Sequence, residues 1–221
     1  MKTQKYIYRF FLMTSVILLA GCRDYLEVEP QSQVSISEAF SSVADARTSI
    51  VGAYDELMGD NGYGIRINLY YPYDSDEMIV TGNIDNGRRG IGRYQLLLTN
   101  AELRNPFLQL YRGVEKSNLC IEQIPLMSLY TSGSDADKKE LRRLHGEALV
   151  LRAQYLFELI RNWGDVPAPF DPAYKTTDLF IPQADRDQTY DRLLSDLKTA
   201  IELLPWRTEV TRDERITKGA A

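Results

Sequence analysis

Apolar positions recur along this chain at helical spacing, and the breaks between them carry proline or glycine. Ala46, Ile50, Ala53, Tyr54 and Leu57 follow at three- and four-residue steps, one face of a helix that Ser42 and Asp45 would cap and Gly59 would end. Ser35 and Glu38 repeat the capping spacing just upstream. A second helix is predicted from about Asn105 to Ile124, with Phe107, Leu110, Tyr111, Val114 and Ile121 on one stripe and Pro125 as its stop. Asn118 falls inside that stripe, so its amide needs a partner in the core. The third helix, about Asp135 to Trp163, is apolar on two faces: Leu141, Leu144, Ala148, Leu151, Tyr155 and Leu159 line one, Leu149, Ala153, Leu156 and Ile160 the other. Such a helix is wedged between neighbours, which Gly146, Ala148 and Ala153 would let approach closely. Arg152 interrupts the apolar surface and needs a buried acid. A fourth helix, about Asp187 to Leu204, presents Tyr190, Leu193, Leu194, Leu197, Ala200 and Ile201, with Asp185 and Gln188 at its start and Pro205 at its end. Strand signals are thin: Ile65 to Tyr73 alternates only partly, and Pro72 and nearby glycines favour a loop or a short edge segment. The pattern is all-α with long connections.

The first residues break this pattern. Lys2, Lys5 and Arg9 precede an apolar run of 11 residues, Phe10 to Ala20, too short to cross a bilayer as a helix. Residues 1–21 read as a secretory signal peptide. Leu19-Ala20-Gly21-Cys22 resembles the bacterial lipobox, which implies that Cys22 is acylated, with palmitate among its chains, and becomes the first mature residue. Each buried methylene contributes about 0.8 kcal/mol, so two or more chains tether stably. Residues 22–34, polar and broken by Pro30, read as an extended tether, and 35–221 as the helical domain.

Charge and composition narrow the chemistry. The chain carries 26 Lys plus Arg against 31 Asp plus Glu; cleavage after Gly21 leaves 23 bases and 31 acids, net −8. That balance argues against nucleic acid as a partner. One histidine and two cysteines exclude most zinc sites built from protein ligands, and no metal or cofactor is expected. Cys120 lies in an apolar helical pattern, which predicts a buried, inert thiol. His145 has no nucleophile and acid beside it in a recognisable motif. Asp74, Asp76 and Glu77 lack the spacing of a calcium loop. Gly87, Gly90 and Gly92 lack the strand and helix start that a phosphate loop requires. No enzyme is expected.

Lys198 to Pro205 resembles the end of a tetratricopeptide repeat, where a small residue, Ala200, is followed five places later by proline. A wider resemblance runs through the chain. Cys22-Arg23-Asp24-Tyr25-Leu26-Glu27 with Pro30, Ile50-Val51-Gly52-Ala53-Tyr54, Leu110-Tyr111-Arg112 with Asn118, and Gly146-Glu147-Ala148 through Leu151-Arg152-Ala153 follow in order. Then come Trp163-Gly164-Asp165-Val166-Pro167, Tyr190 with Asp196-Leu197 and Leu204-Pro205, and Arg215-Ile216-Thr217-Lys218-Gly219-Ala220-Ala221. Together they resemble the N-terminal half of the SusD/RagB family of outer-membrane nutrient-uptake lipoproteins. Phe107 stands where that family often has tryptophan, and Trp163 where it usually has phenylalanine.

The resemblance implies a tetratricopeptide-like scaffold, lipid-anchored on the outer membrane and exposed at the cell surface. It implies a SusC-type TonB-dependent transporter as partner and an oligosaccharide or peptide as ligand. Members of that family are much longer, and Lys218 to Ala221 looks like the opening of another helix, so the chain is expected to be a truncated portion. The ligand is expected on the long connection from about Gly59 to Gln95, rich in glycine, with Tyr63, Tyr70, Tyr71, Tyr73, Asn83, Asn86, Arg88, Arg89, Arg93 and Tyr94. Aromatic faces take the C–H surface of a sugar, while amides and guanidinium groups bond its hydroxyls. The candidates chosen on that basis are Tyr70, Tyr73, Asn83, Asn86, Arg88, Arg93 and Tyr94. The other class of function open to such a chain is a helical-repeat lipoprotein that acts as a structural or assembly adaptor without a small ligand.

Overall fold

A 29-residue helix, Asp135–Trp163, is the axis of the structure, opened by a capping box between Ser134 and Asp137 and closed at Gly164, whose φ of +76° suits a residue without Cβ. It follows, in chain order, α1 (Ile36–Ala39), α2 (Val43–Asp55), α3 (Arg66–Tyr73), α4 (Arg88–Ile91), α5 (Ala101–Leu126) and α6 (Ser128–Ser132), and is α7 itself; α8 is Arg186–Leu203. Single 3₁₀ turns occupy Ala173–Lys175, Arg207–Glu209 and Lys218–Ala220. The computed structural model describes residues 35–73, 75–82, 87–97, 99–178, 180–211 and 214–221, so Cys22 and the expected signal and tether lie outside the described residues. Residues 36–221 form one unit. No strand occurs among the described residues, and none of their helices is long and apolar enough to cross a membrane.

Helix α7 packs most extensively against α5 on one side and α8 on the other. Gly113 and Asn118 of α5 meet Tyr155 and Arg152 of α7, while Gly146 and Arg152 of α7 meet Leu204, just past α8, and Asp196. Numbers rise on one helix as they fall on the next, so both pairs are antiparallel, as in a helical-repeat scaffold. Both apolar faces of α7 are buried, with Leu141, Leu144, Ala148, Leu151, Tyr155 and Leu159 at or near zero exposure. At Gly146 a Cβ would sit 2.8 Å from Leu204 Cγ, which explains the small residue there.

Polar residues inside this core are satisfied by one another. Arg152 donates to Asp196 Oδ2, to Asn118 Oδ1 and to the Phe170 carbonyl, each at 2.9 Å. Asn118 in turn donates to the carbonyls of Pro169 and Asp171 at 3.0 and 3.2 Å. Glu147, fully buried, accepts from Arg143 and from Arg215, which holds residues 214–221 against α7. Burial pushes the Cys120 thiol up to about 12, the inert state expected of it.

Three expectations need correction. Residues 66–73 are helical, because Ile67 and Tyr70, three apart, both reach the core. Helix α5 begins before Asn105 and runs past Pro125. Pro106 has no N–H for the Glu102 carbonyl four residues earlier, and the Tyr70 hydroxyl donates to that carbonyl instead. Gly87 also precedes a single helical turn, α4, where no helix start was expected.

His145 lies against Tyr130, whose hydroxyl is 3.2 Å from Nδ1. Burial, with the charge of Arg152 adding to it, pushes its imidazole down to about 4. The unfolded chain takes up this proton near pH 6.5, so the stabilising difference is complete above that pH and is lost as pH falls towards 4. We expect the wild-type chain to lose about 1–2 kcal/mol more than His145→Gln between pH 7 and 5, read by urea unfolding. Parallel losses in the two chains would contradict it.

Candidate functional site

The connection after α2 folds back on the start of α5 and encloses a cleft of about 670 Å³. Its wall comes from Tyr73 at the end of α3, from residues 78–81, from Gly87, Arg88 and Arg89 at the start of α4, and from Glu102 in the first turn of α5. Glu102 is placed by Asn100, which caps α5 by accepting from the Glu102 N–H at 2.9 Å. Arg66 and Arg88 converge on its carboxylate, each with Nε 3.0 Å from Oε2. Burial would raise this carboxyl, but the hydrogen bonds and charges of the two arginines hold it below its ordinary value. Arg89 Nε donates to the Thr81 carbonyl at 2.9 Å, and Arg93 to the Gly82 carbonyl at 3.4 Å, so the guanidinium groups pin residues 81 and 82 over α4.

The arrangement joins two kinds of surface. Tyr73, Met78, Ile79 and Val80 supply apolar area, with Ile79 87% exposed. Arg88, Arg89, Glu102 and Thr81 supply donors and acceptors. An apolar face beside a charged, hydrogen-bonding rim suits a hydroxylated ligand with a C–H surface. Among the described residues no three His, Cys, Asp or Glu side chains gather to hold a metal.

Of the seven candidates, Tyr73 and Arg88 line this cleft. Tyr70 is core: 7% exposed, edge-on to Trp163, its hydroxyl committed to the Glu102 carbonyl. Arg93 donates to the Gly82 carbonyl, and Tyr94 is 69% exposed with φ of +57°; neither lines the cleft. Asn83 and Asn86 lie outside the described residues. Sequence reasoning passed over Glu102 and the apolar stretch 78–80. Asn100 two residues before Glu102 was a readable capping signal; nothing in the sequence placed residues 78–80 opposite it.

A helical-repeat scaffold that carries a cleft on a long connection is the class this architecture defines. The chain belongs to the SusD-like family described as starch-binding and associating with the outer membrane, whose profile matches residues 24–221. SusD-like protein P38 of Formosa agariphila is 29% identical over 217 residues, 95% of this chain and 39% of that protein. SusD-like protein P25 of the same organism is 24% identical over 209 residues, 90% of this chain and 38% of that protein. The crystal structure of a SusD homologue from Bacteroides thetaiotaomicron superposes with a TM-score of 0.75 at 23% identity, over 86% of this chain and 37% of that one. A laminarin-binding SusD-like protein superposes at 0.64 with 22% identity, over 80% and 37%. The chain thus spans under two-fifths of the length of these relatives.

Proposed function

We propose that this chain is a glycan-binding lipoprotein of the outer membrane, held at the cell surface through acylated Cys22, that passes oligosaccharide to a SusC-type TonB-dependent transporter. The observation that carries the reading is the cleft between Tyr73, residues 78–81, α4 and Glu102, where an apolar strip lies beside two guanidinium groups and a carboxylate. A sugar ring would lie with its C–H face on Tyr73 and residues 78–80 while Arg88, Arg89 and Glu102 bond its hydroxyls. Membership of a starch-binding family and likeness to a laminarin-binding protein favour a glycan over a peptide. The role is capture and not bond cleavage.

Isothermal titration with laminarin and with starch tests this. Tyr73→Ala and Arg88→Ala are each expected to weaken binding about tenfold or more, about 1.4 kcal/mol. Both side chains are partly exposed, so the fold should persist. Absence of binding to either polysaccharide, with a barrel transporter still co-purifying, would point to the adaptor function instead.

A further inference from the structure

Beside the first cleft lies a second, of about 290 Å³, whose lining includes Tyr70, one of the seven sequence candidates. Arg161, Asn162 and Trp163 of the last turn of α7 form one side. Ile91, Leu96 and Leu103 form the other, with Tyr70 between.

The two clefts share three walls. On α3, Tyr73 lines the first and Tyr70 the second. On α4, Arg88 lines the first and Ile91 the second; at the start of α5, Glu102 and the adjacent Leu103 divide likewise. On each element the residue of one cleft lies one to three positions from the residue of the other, so the clefts are neighbours. The first is charged at its rim. The second has an aliphatic and aromatic lining, with a guanidinium and an amide at one end, and a volume near the lower limit for a small-molecule site.

Resting on the glycan reading, we infer that the second cleft is a further subsite for the same oligosaccharide, taking a neutral sugar ring one or two units along the chain. Its apolar surface meets the ring's C–H face, and Arg161 and Asn162 meet the hydroxyls at its edge. The first cleft binds short and long ligands alike; the second adds affinity only when the ligand reaches it.

The test is titration of the full chain with laminarin- and starch-derived oligosaccharides from the disaccharide to the heptasaccharide. Leu96→Asp and Arg161→Ala alter exposed side chains, 57% exposed in the case of Leu96. Each is expected to weaken the hexasaccharide about tenfold and the disaccharide less than about twofold. Arg88→Ala is expected to weaken both. A Trp206→Phe chain leaves Trp163 as its only tryptophan, and its fluorescence should respond to the hexasaccharide but not the disaccharide. Wild-type binding that does not strengthen with length, or that both second-cleft variants leave unchanged, overturns the subsite alone. No binding of either series by the wild-type chain overturns the glycan reading and the subsite with it.

Discussion

Arg152→Met is expected to destabilise the chain by about 3–5 kcal/mol, the cost of breaking a buried ion pair from one side. Arg152 is 2% exposed, and its Nη2 lies 2.7 Å from Asp196 Oδ2. Methionine keeps much of the volume but leaves the Asp196 carboxylate, among the described residues, with Arg192, 3.7 Å away and more than half exposed. It also strips Asn118 Oδ1 and the Phe170 carbonyl of their donor, and removes a guanidinium stacked 5.0 Å from the Phe170 ring. Because Arg152 joins α5, α7, α8 and residues 169–171, the loss falls on the whole unit. The check is urea unfolding of the wild type, Arg152→Met, and the double variant Arg152→Met with Asp196→Leu. The double variant should recover part of the loss, since it no longer buries an unpaired charge. A single variant within about 1 kcal/mol of wild type would show that the pair stabilises little.

Arg152 and Asn118 also show how far the sequence could be read. Each breaks an apolar stripe, so each declares a need for a polar partner, and α7 itself is legible from end to end because apolar residues recur on two of its faces along its whole length. That the two needs answer one another, across 34 residues, is a property of the antiparallel packing that no local pattern contains. The misread segments have the same origin. Pro72 and Pro106 are local signals against helix, and tertiary contacts override both; at Pro106 the override is a single hydroxyl from Tyr70. Tyr70 is therefore the residue whose role was hardest to read. In the sequence it belongs to a cluster of tyrosines on a glycine-rich connection, the composition of a sugar site, whereas in the fold it completes a helix. Tyr73, one turn further on, reaches the cleft. Glu102 went unread because its two arginine partners come from segments 36 and 14 residues away.

Gly113→Ala and Gly52→Ala should move stability in opposite directions. Both glycines lie inside helices, where alanine is favoured over glycine by about 1 kcal/mol. At Gly52, on α2, a Cβ would have nothing within 4 Å, so the propensity gain stands and stability should rise by up to about 1 kcal/mol. At Gly113, on α5, a Cβ would lie 2.5 Å from Cε1 and Cε2 of Tyr155. That ring cannot swing aside freely: it is wholly buried, and its hydroxyl donates to the Ala53 carbonyl at 2.5 Å. Parting α5 from α7 costs about 1–3 kcal/mol for overpacking. Losing the buried hydrogen bond adds about 1–3 kcal/mol. Together they exceed the propensity gain, so Gly113→Ala should lose about 2 kcal/mol and Gly113→Val more, read as lower urea midpoints at unchanged slope. If Gly113→Ala proves as stable as wild type, the close contact between α5 and α7 at Tyr155 is wrong. If Gly52→Ala alone fails to gain, the error lies in the surface of α2 and leaves the α5–α7 contact standing.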